Sequence, residues 1–454
     1  MLTLTSKQHM RALENRLYEL ESKILPIQHQ DAITSNCSDN ALPSAASESA
    51  PETPNITKTT TTALQPIITP PTQSHMPLPS NPQFEGMLNR IAEMRARSVD
   101  ITGSFTSILA SPFPIHEAEL ALLSSSVEKI FQEFPLFDNA EFLDRARNQA
   151  ALGKDTPGHT ARWACLNAAI ALAVHVKTAN SSFEELSPWP WTYFKNAYAT
   201  FPELILHGND IESVQAMILM ALFARNSADE KMTSQLVSTA LRQSQALDPR
   251  IYKVNHNENH KDSMESEHAR RAVWAAFILG AELSLPCGPG SALDPDEMDI
   301  PLPNPGELHL NSTSDVSMFR WRAELAIIQT RVKNRLYTHR ALKMPDPALL
   351  RTITDLDREL ELWRQILPAK VMPGLAHSDQ DPAYIASHLT FHHAVSMVHW
   401  ARRRHPGIPG QLDMSRLKDR TAAQNILHVL QALPPEQFAQ FWYVSPHLLS
   451  AINS

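Results

Sequence analysis

Apolar residues spaced three and four apart recur through the last four fifths of this chain, and they restrict it to packed helices. The clearest run is Leu349, Ile353, Leu356, Leu360, Trp363 and Leu367, which places one apolar stripe along a helix. Others are Trp163, Leu166, Ile170 and Val174; Val214, Ile218, Ala221 and Leu222; Leu236, Ala240 and Leu247. Farther on come Trp274, Phe277, Ile278, Ala281 and Leu285, then Trp321, Leu325, Ile328, Val332 and Leu336, with two more helices expected around 383–404 and 415–433. Pro188, Pro249, Pro286, Pro301, Pro368 and Pro406 fall between or beside these runs, where a helix is expected to stop. Glycine reinforces the pattern: 12 in 454 residues leave little for phosphate loops, tight hairpins or barrel corners. The one Gly-x-Gly, Gly288-Pro289-Gly290, opens neither a dinucleotide fingerprint nor a P-loop. The fold class expected is all-α, a large multi-helix bundle.

Two different segments precede it. Residues 1–28 are expected to form a short heptad helix: Met10, Leu13, Leu17, Leu20 and Ile24 fall at alternating a and d positions, with Arg16 and Glu21 at g and the following e. That seam predicts a coiled-coil contact with a second copy or a related chain. Residues 29–83 are rich in Pro, Ser, Thr and Ala, including Thr59 to Thr62 and Pro70-Pro71, and read as a disordered linker. The helical body is expected over 84–454. No apolar stretch reaches the ~20 residues of a membrane span, and Lys7, Arg11, Glu14 and Arg16 interrupt any signal core.

The net charge of −8 gives no general attraction to nucleic acid. Cys37, Cys165 and Cys287 stand too far apart for a disulfide framework or a zinc thiolate pair, so a reducing compartment is expected. His388 and His392 sit at i, i+4, a spacing that can present two imidazoles to zinc, but Leu389 stands where a catalytic motif needs glutamate. Stacking or hydrogen bonding within the helix is the expected role of these histidines. Terpenoid-synthase chemistry needs acidic magnesium motifs. Asn209-Asp210-x-x-Ser213 resembles the start of one, yet Met217 occupies the position of its last acid. Asp294, Asp296, Glu297 and Asp299 crowd a loop without EF-hand spacing. Arg402-Arg403-Arg404 complements a helix C-terminus, with nuclear import as the alternative role. No catalytic or metal site is expected, and no enzyme activity.

One stretch carries a family resemblance. His268-Ala269-Arg270-Arg271-Ala272-Val273-Trp274 continues through Phe277, then Gly288, then Asp296-Glu297-Met298-Asp299-Ile300-Pro301-Leu302-Pro303. This order is similar to the middle homology region of fungal binuclear-zinc-cluster transcription factors, with Gly288-Pro289-Gly290 replacing a Gly-Arg-Pro-type turn. Supporting segments are Tyr193-Phe194 through Leu247-Asp248-Pro249, Leu356 to Trp363, and His388 to His399. The resemblance implies a nuclear transcription regulator whose heptad helix sets dimer geometry, whose body responds to a small-molecule effector, and whose targets form a metabolic gene cluster. It further implies homodimer or heterodimer partners, the transcription machinery, and DNA reached indirectly or through a separate module. The family's DNA-binding cluster needs six closely paired cysteines on two zinc ions, so zinc is expected only with an N-terminal module that these residues do not supply. A helical adaptor that titrates such regulators is the alternative. Arg270 and Arg271 are expected at a helix start, paired with the acids of 294–299.

Overall fold

The structure is a computed structural model, and it describes residues 115–152, 160–179, 188–252, 260–287, 298, 300–303, 313–368, 382–404, 411–433 and 441, together with Gly86 and Asn89. All belong to a unit spanning Pro70–Ser454. The heptad positions Met10, Leu13, Leu17, Leu20 and Ile24, the linker, Gly288, Asp296 and Asp299 lie outside the described residues.

Local sequence explains where the helices begin and turn. The first, α1 (Glu117–Gln132), opens with a capping box in which the Glu119 carboxylate accepts from the His116 backbone N–H at 2.9 Å. Three helices follow: α2 (Asn139–Leu152), α3 (Thr160–Ala179) and α4 (Pro188–Tyr198), the last started by the proline expected to punctuate the chain. After the short α5 (Phe201–His207) the chain reverses at Gly208, where a Cβ would stand 2.4 Å from both the Leu204 carbonyl and the Ser213 hydroxyl. Only glycine fits that approach. Asp210 then caps α6 (Ile211–Asn226) by accepting from the Ser213 N–H at 2.7 Å. The link to α7 (Glu230–Ala246) passes through Ala228 at φ 55, with Asp229 capping the Met232 N–H at 3.0 Å. The result is a tight αα-hairpin.

The second half continues with α8 (His260–Cys287), α9 (Thr313–Leu336), α10 (Asp346–Ile366), α11 (Pro382–Trp400) and α12 (Gln411–Ala432). Pro286 lies inside the last turn of α8 instead of beyond its end, a departure from the expected stop. Among the described residues there is no strand, and no helix is long and apolar enough to cross a membrane.

Among the described residues two main cores hold these helices, with a small third cluster of Met318, Ala383 and Tyr384 between α9 and α11. The larger gathers α1 to α8 with parts of α9, α11 and α12; the smaller lies between α9, α10 and α11. The expected α10 stripe is found as read, with Leu349, Ile353, Leu356, Leu360 and Trp363 all buried. Other stripes understate the burial. Every residue of α6 from Ser213 to Arg225 is buried, because α3, α7 and α8 enclose it on all sides. Helix α11 is nearly as enclosed, so its periodicity could not reveal a single inner face.

Leu356→Ala is expected to cost about 2–5 kcal/mol, since Leu356 is fully enclosed in the smaller core. Leu362→Ala on the outer side of the same helix is expected to stay within about 0.5 kcal/mol. Urea denaturation of both variants checks the contrast.

Candidate functional site

Helix α8 carries Arg270, Arg271, Trp274 and Phe277 of the residues singled out by the resemblance. Arg270 and Arg271 lie in its third turn, not at its start, because the helix begins at His260. Both are fully buried, and both meet Glu267, three and four residues back, which is itself 1% exposed. Arg270 donates through Nε and Nη2 to Glu267 Oε2 at 3.0 and 2.5 Å, and through Nη1 to the Tyr252 carbonyl at 3.2 Å. Arg271 donates through Nε to Glu267 Oε1 at 3.0 Å. One carboxylate therefore anchors two guanidinium groups, one on each oxygen. Sequence spacing pointed to the loop acids instead. Glu267 is the acid that both arginines meet, while Asp294, Asp296, Glu297 and Asp299 lie outside the described residues.

One turn further on, Trp274 stacks edge-on against Phe277 with ring centroids 5.4 Å apart. Its indole N–H donates to the Pro301 carbonyl at 2.9 Å. Arg320 on α9 donates to the Pro303 carbonyl at 3.1 Å. Prolines lack an N–H but leave their carbonyls available, and here α8 and α9 each take one. The Pro301-Leu302-Pro303 segment is thereby tied to two helices, with Met298, Ile300 and Leu302 packed on the larger core.

A second charged assembly lies deeper and was missed by sequence reasoning. Glu133 at the end of α1, Arg225 at the end of α6, Glu282 on α8 and Arg322 on α9 form a buried network of two cations and two anions. Arg225 grips Glu133 with both terminal nitrogens, at 2.9 and 2.5 Å. Arg322 bridges Glu133 Oε1 at 3.0 Å and Glu282 Oε1 at 2.8 Å, and also donates to the Glu133 carbonyl at 3.2 Å. Phe134 lies against both guanidinium groups, 4.6 Å from the Arg322 carbon and 5.6 Å from that of Arg225. The two carboxyls respond differently. Burial would raise Glu133, but Arg225 and Arg322 outweigh it and hold its pKa below the ordinary value. Burial raises Glu282, and its contacts with Arg322 and Arg225 offset this only in part; its second oxygen stands 3.9 Å from Arg225. Glu282 is thus the acid of the network that takes a proton most readily.

Three other features were expected from the sequence. The basic run is not available as a linear signal: Arg402 is buried, and Arg403 donates to Asp419 at 2.7 Å while lying over the Trp400 ring. His388, His392 and His393 are buried, and among the described residues no three metal-ligating side chains cluster. Cys165 is buried beside a narrow cleft between α2, α3 and α6, floored by Phe137, Phe142 and Leu166 and rimmed by Arg145, Arg162 and Glu212. Burial raises the Cys165 thiol well above its usual value, which removes it as a nucleophile.

Residues 126–365 match the model of the fungal specific transcription factor domain. That span takes in Glu133, Arg225, the α8 motif, Glu282 and Arg322. The chain belongs to this family. An ABC-transporter-regulating transcription factor of Aspergillus oryzae is 26% identical over 377 residues, covering 77% of this chain and 42% of that protein. A second protein of that name, from Aspergillus fumigatus, is 25% identical with the same coverage. The Fusaridione A cluster transcription factor of Fusarium heterosporum is 23% identical over 367 residues, covering 77% of this chain and 68% of its own length. This fungal transcription factor domain chain therefore spans well under half of the two Aspergillus relatives. No solved structure matches it.

Arg322→Met keeps the stem but leaves two carboxylates with one cation, so it is expected to cost about 3–5 kcal/mol. Glu282→Gln removes the acid that is already easiest to neutralise and is expected to cost less, about 1–3 kcal/mol. Urea midpoints at constant pH check the order, and equal losses would count against this division of roles. His268 supplies a pH test on α8, because burial, aided by Arg271, lowers its pKa to about 4. The unfolded chain takes up that proton first, near pH 6.5. Stability is therefore full above pH 6.5 and falls by about 1.4 kcal/mol per pH unit toward pH 4. His268→Asn is expected to flatten that part of the stability–pH curve.

Proposed function

We propose that this chain is the regulatory domain of a nuclear transcription regulator that controls a metabolic gene cluster or a transporter gene. The observation that carries the reading is the family match over 126–365, which coincides with the helices joined by the buried ionic network. The names of the fungal relatives supply the target classes: an ABC transporter for two and the Fusaridione A cluster for the third. In this role the domain has no catalytic step. It acts as a body whose packing sets what its partners can reach.

DNA contact comes from a partner or from a zinc-cluster module that these 454 residues, with their three cysteines, do not contain. The heptad helix over 1–28 supplies the dimer contact through Met10, Leu13, Leu17, Leu20 and Ile24. The effector remains part of the same proposal, but the cleft beside Cys165 has room for only about one or two water molecules. An effector of metabolite size would have to widen it or bind elsewhere.

The test fuses the full chain to a heterologous DNA-binding domain and reads a reporter in a fungal host. A several-fold change in reporter output is expected, together with altered transcripts of one gene cluster when the native gene is deleted. An unchanged reporter and an unchanged transcriptome would overturn the reading. Retained regulation by the fusion after Leu13→Asp and Leu17→Asp would separate the dimer contact from the regulatory body.

A further inference from the structure

Helix α11 holds a ladder of polar rings that the regulatory role does not use. Tyr384, His388 and His392 follow one another at intervals of four, with ring centroids 6.1 and 4.7 Å apart. His388 is 3% exposed and His392 is 7% exposed. Nδ1 of His388 and Nε2 of His392 are buried without a hydrogen-bond partner among the described residues. A buried imidazole nitrogen left without a partner is destabilising, and two on adjacent turns call for a shared occupant. The neighbours do not satisfy them: Phe391 meets His392 edge-on at 5.2 Å, and Tyr384 meets His388 in the same manner.

We propose that His388 and His392 form a two-imidazole site for a divalent transition metal of the zinc, copper(II) or nickel(II) class. The i, i+4 spacing brings two rings to one side of a helix, the arrangement that lets neighbouring imidazoles share one ion. Neutral nitrogen donors select borderline metals over magnesium or calcium, which require oxygen ligands. Both rings are neutral in the fold: burial lowers His388 to about 4 and His392 to about 3. Their lone pairs are therefore available without proton release near neutral pH. His428 on α12 is exposed and close enough for its charge to act on His388, while Arg364, on the side of His392, is held by Glu361 at 2.6 Å. No third ligating side chain completes the set among the described residues, so water fills the remaining positions. Two protein ligands are fewer than the four of a closed structural zinc site, so weaker binding than at such a site is expected.

The experiment titrates the full chain with zinc chloride against a competing indicator, and compares it with His388→Gln/His392→Gln and with the exposed control His339→Gln. The wild type and the control are expected to take up one equivalent more than the double variant, and zinc is expected to raise the melting temperature only in those two. Copper(II) paramagnetic resonance is expected to show two coordinated imidazole nitrogens. Equal uptake by a folded double variant would overturn the proposal. So would an unshifted melting temperature in the wild type, which would indicate that the pair holds a buried water only. Should the double variant fail to fold, the wild-type copper spectrum and its melting shift decide together, and fewer than two nitrogens or no shift overturns the site.

Discussion

The Glu133–Arg225–Glu282–Arg322 network is the constraint on which the arrangement of the larger core depends. Four charges removed from water carry a large desolvation cost, and only close, multiply bonded geometry offsets it. Each charge comes from a different helix or helix end, so the geometry that satisfies one pair also sets the position of the others. Apolar packing tolerates small slips between helices; a bidentate pair at 2.9 and 2.5 Å does not. The network therefore ties α1, α6, α8 and α9 together at one point, and a slip of any one of them would strain pairs on the others.

Glu267 plays a similar part on a smaller scale. It holds Arg270 and Arg271 within one helix, and Arg270 then reaches the Tyr252 carbonyl that precedes α8. Trp274 and Arg320 extend the arrangement to the carbonyls of Pro301 and Pro303. The motif that carries the family resemblance is thus a set of side chains that orient backbone around α8. Its described residues on α8, Arg270, Arg271, Trp274 and Phe277, are all buried, which fits a scaffold better than a surface that meets DNA.

Much of this fold could be read from spacing. The α10 seam, the two helices before Pro249 and the tryptophan helix all follow from three-and-four periodicity and its punctuation. Full enclosure could not be read the same way: the run Val214, Ile218, Ala221 and Leu222 marked one stripe of α6, whereas every side from Ser213 to Arg225 is buried and α11 is nearly as enclosed. Buried arginines were harder still: a charged residue is usually placed on the surface. Arg225 closes an almost wholly apolar run and Glu282 sits among Ala281, Leu283 and Leu285, a contrast that was a usable sign. Their pairing was not legible, since Arg322 meets Glu133 across 189 positions of sequence. For the histidines, the i, i+4 spacing was visible, but only burial and the lack of hydrogen-bond partners give it weight.

Helix α6 leaves one further consequence. With no face toward solvent from Ser213 to Arg225, it has no partly open state that keeps its neighbours in place. Separating it from α3 or α8 would expose apolar surface on both sides and break the ionic network at Arg225. Displacing α6 therefore costs more than displacing helices with a free side, such as α2, α5, α10 and α12.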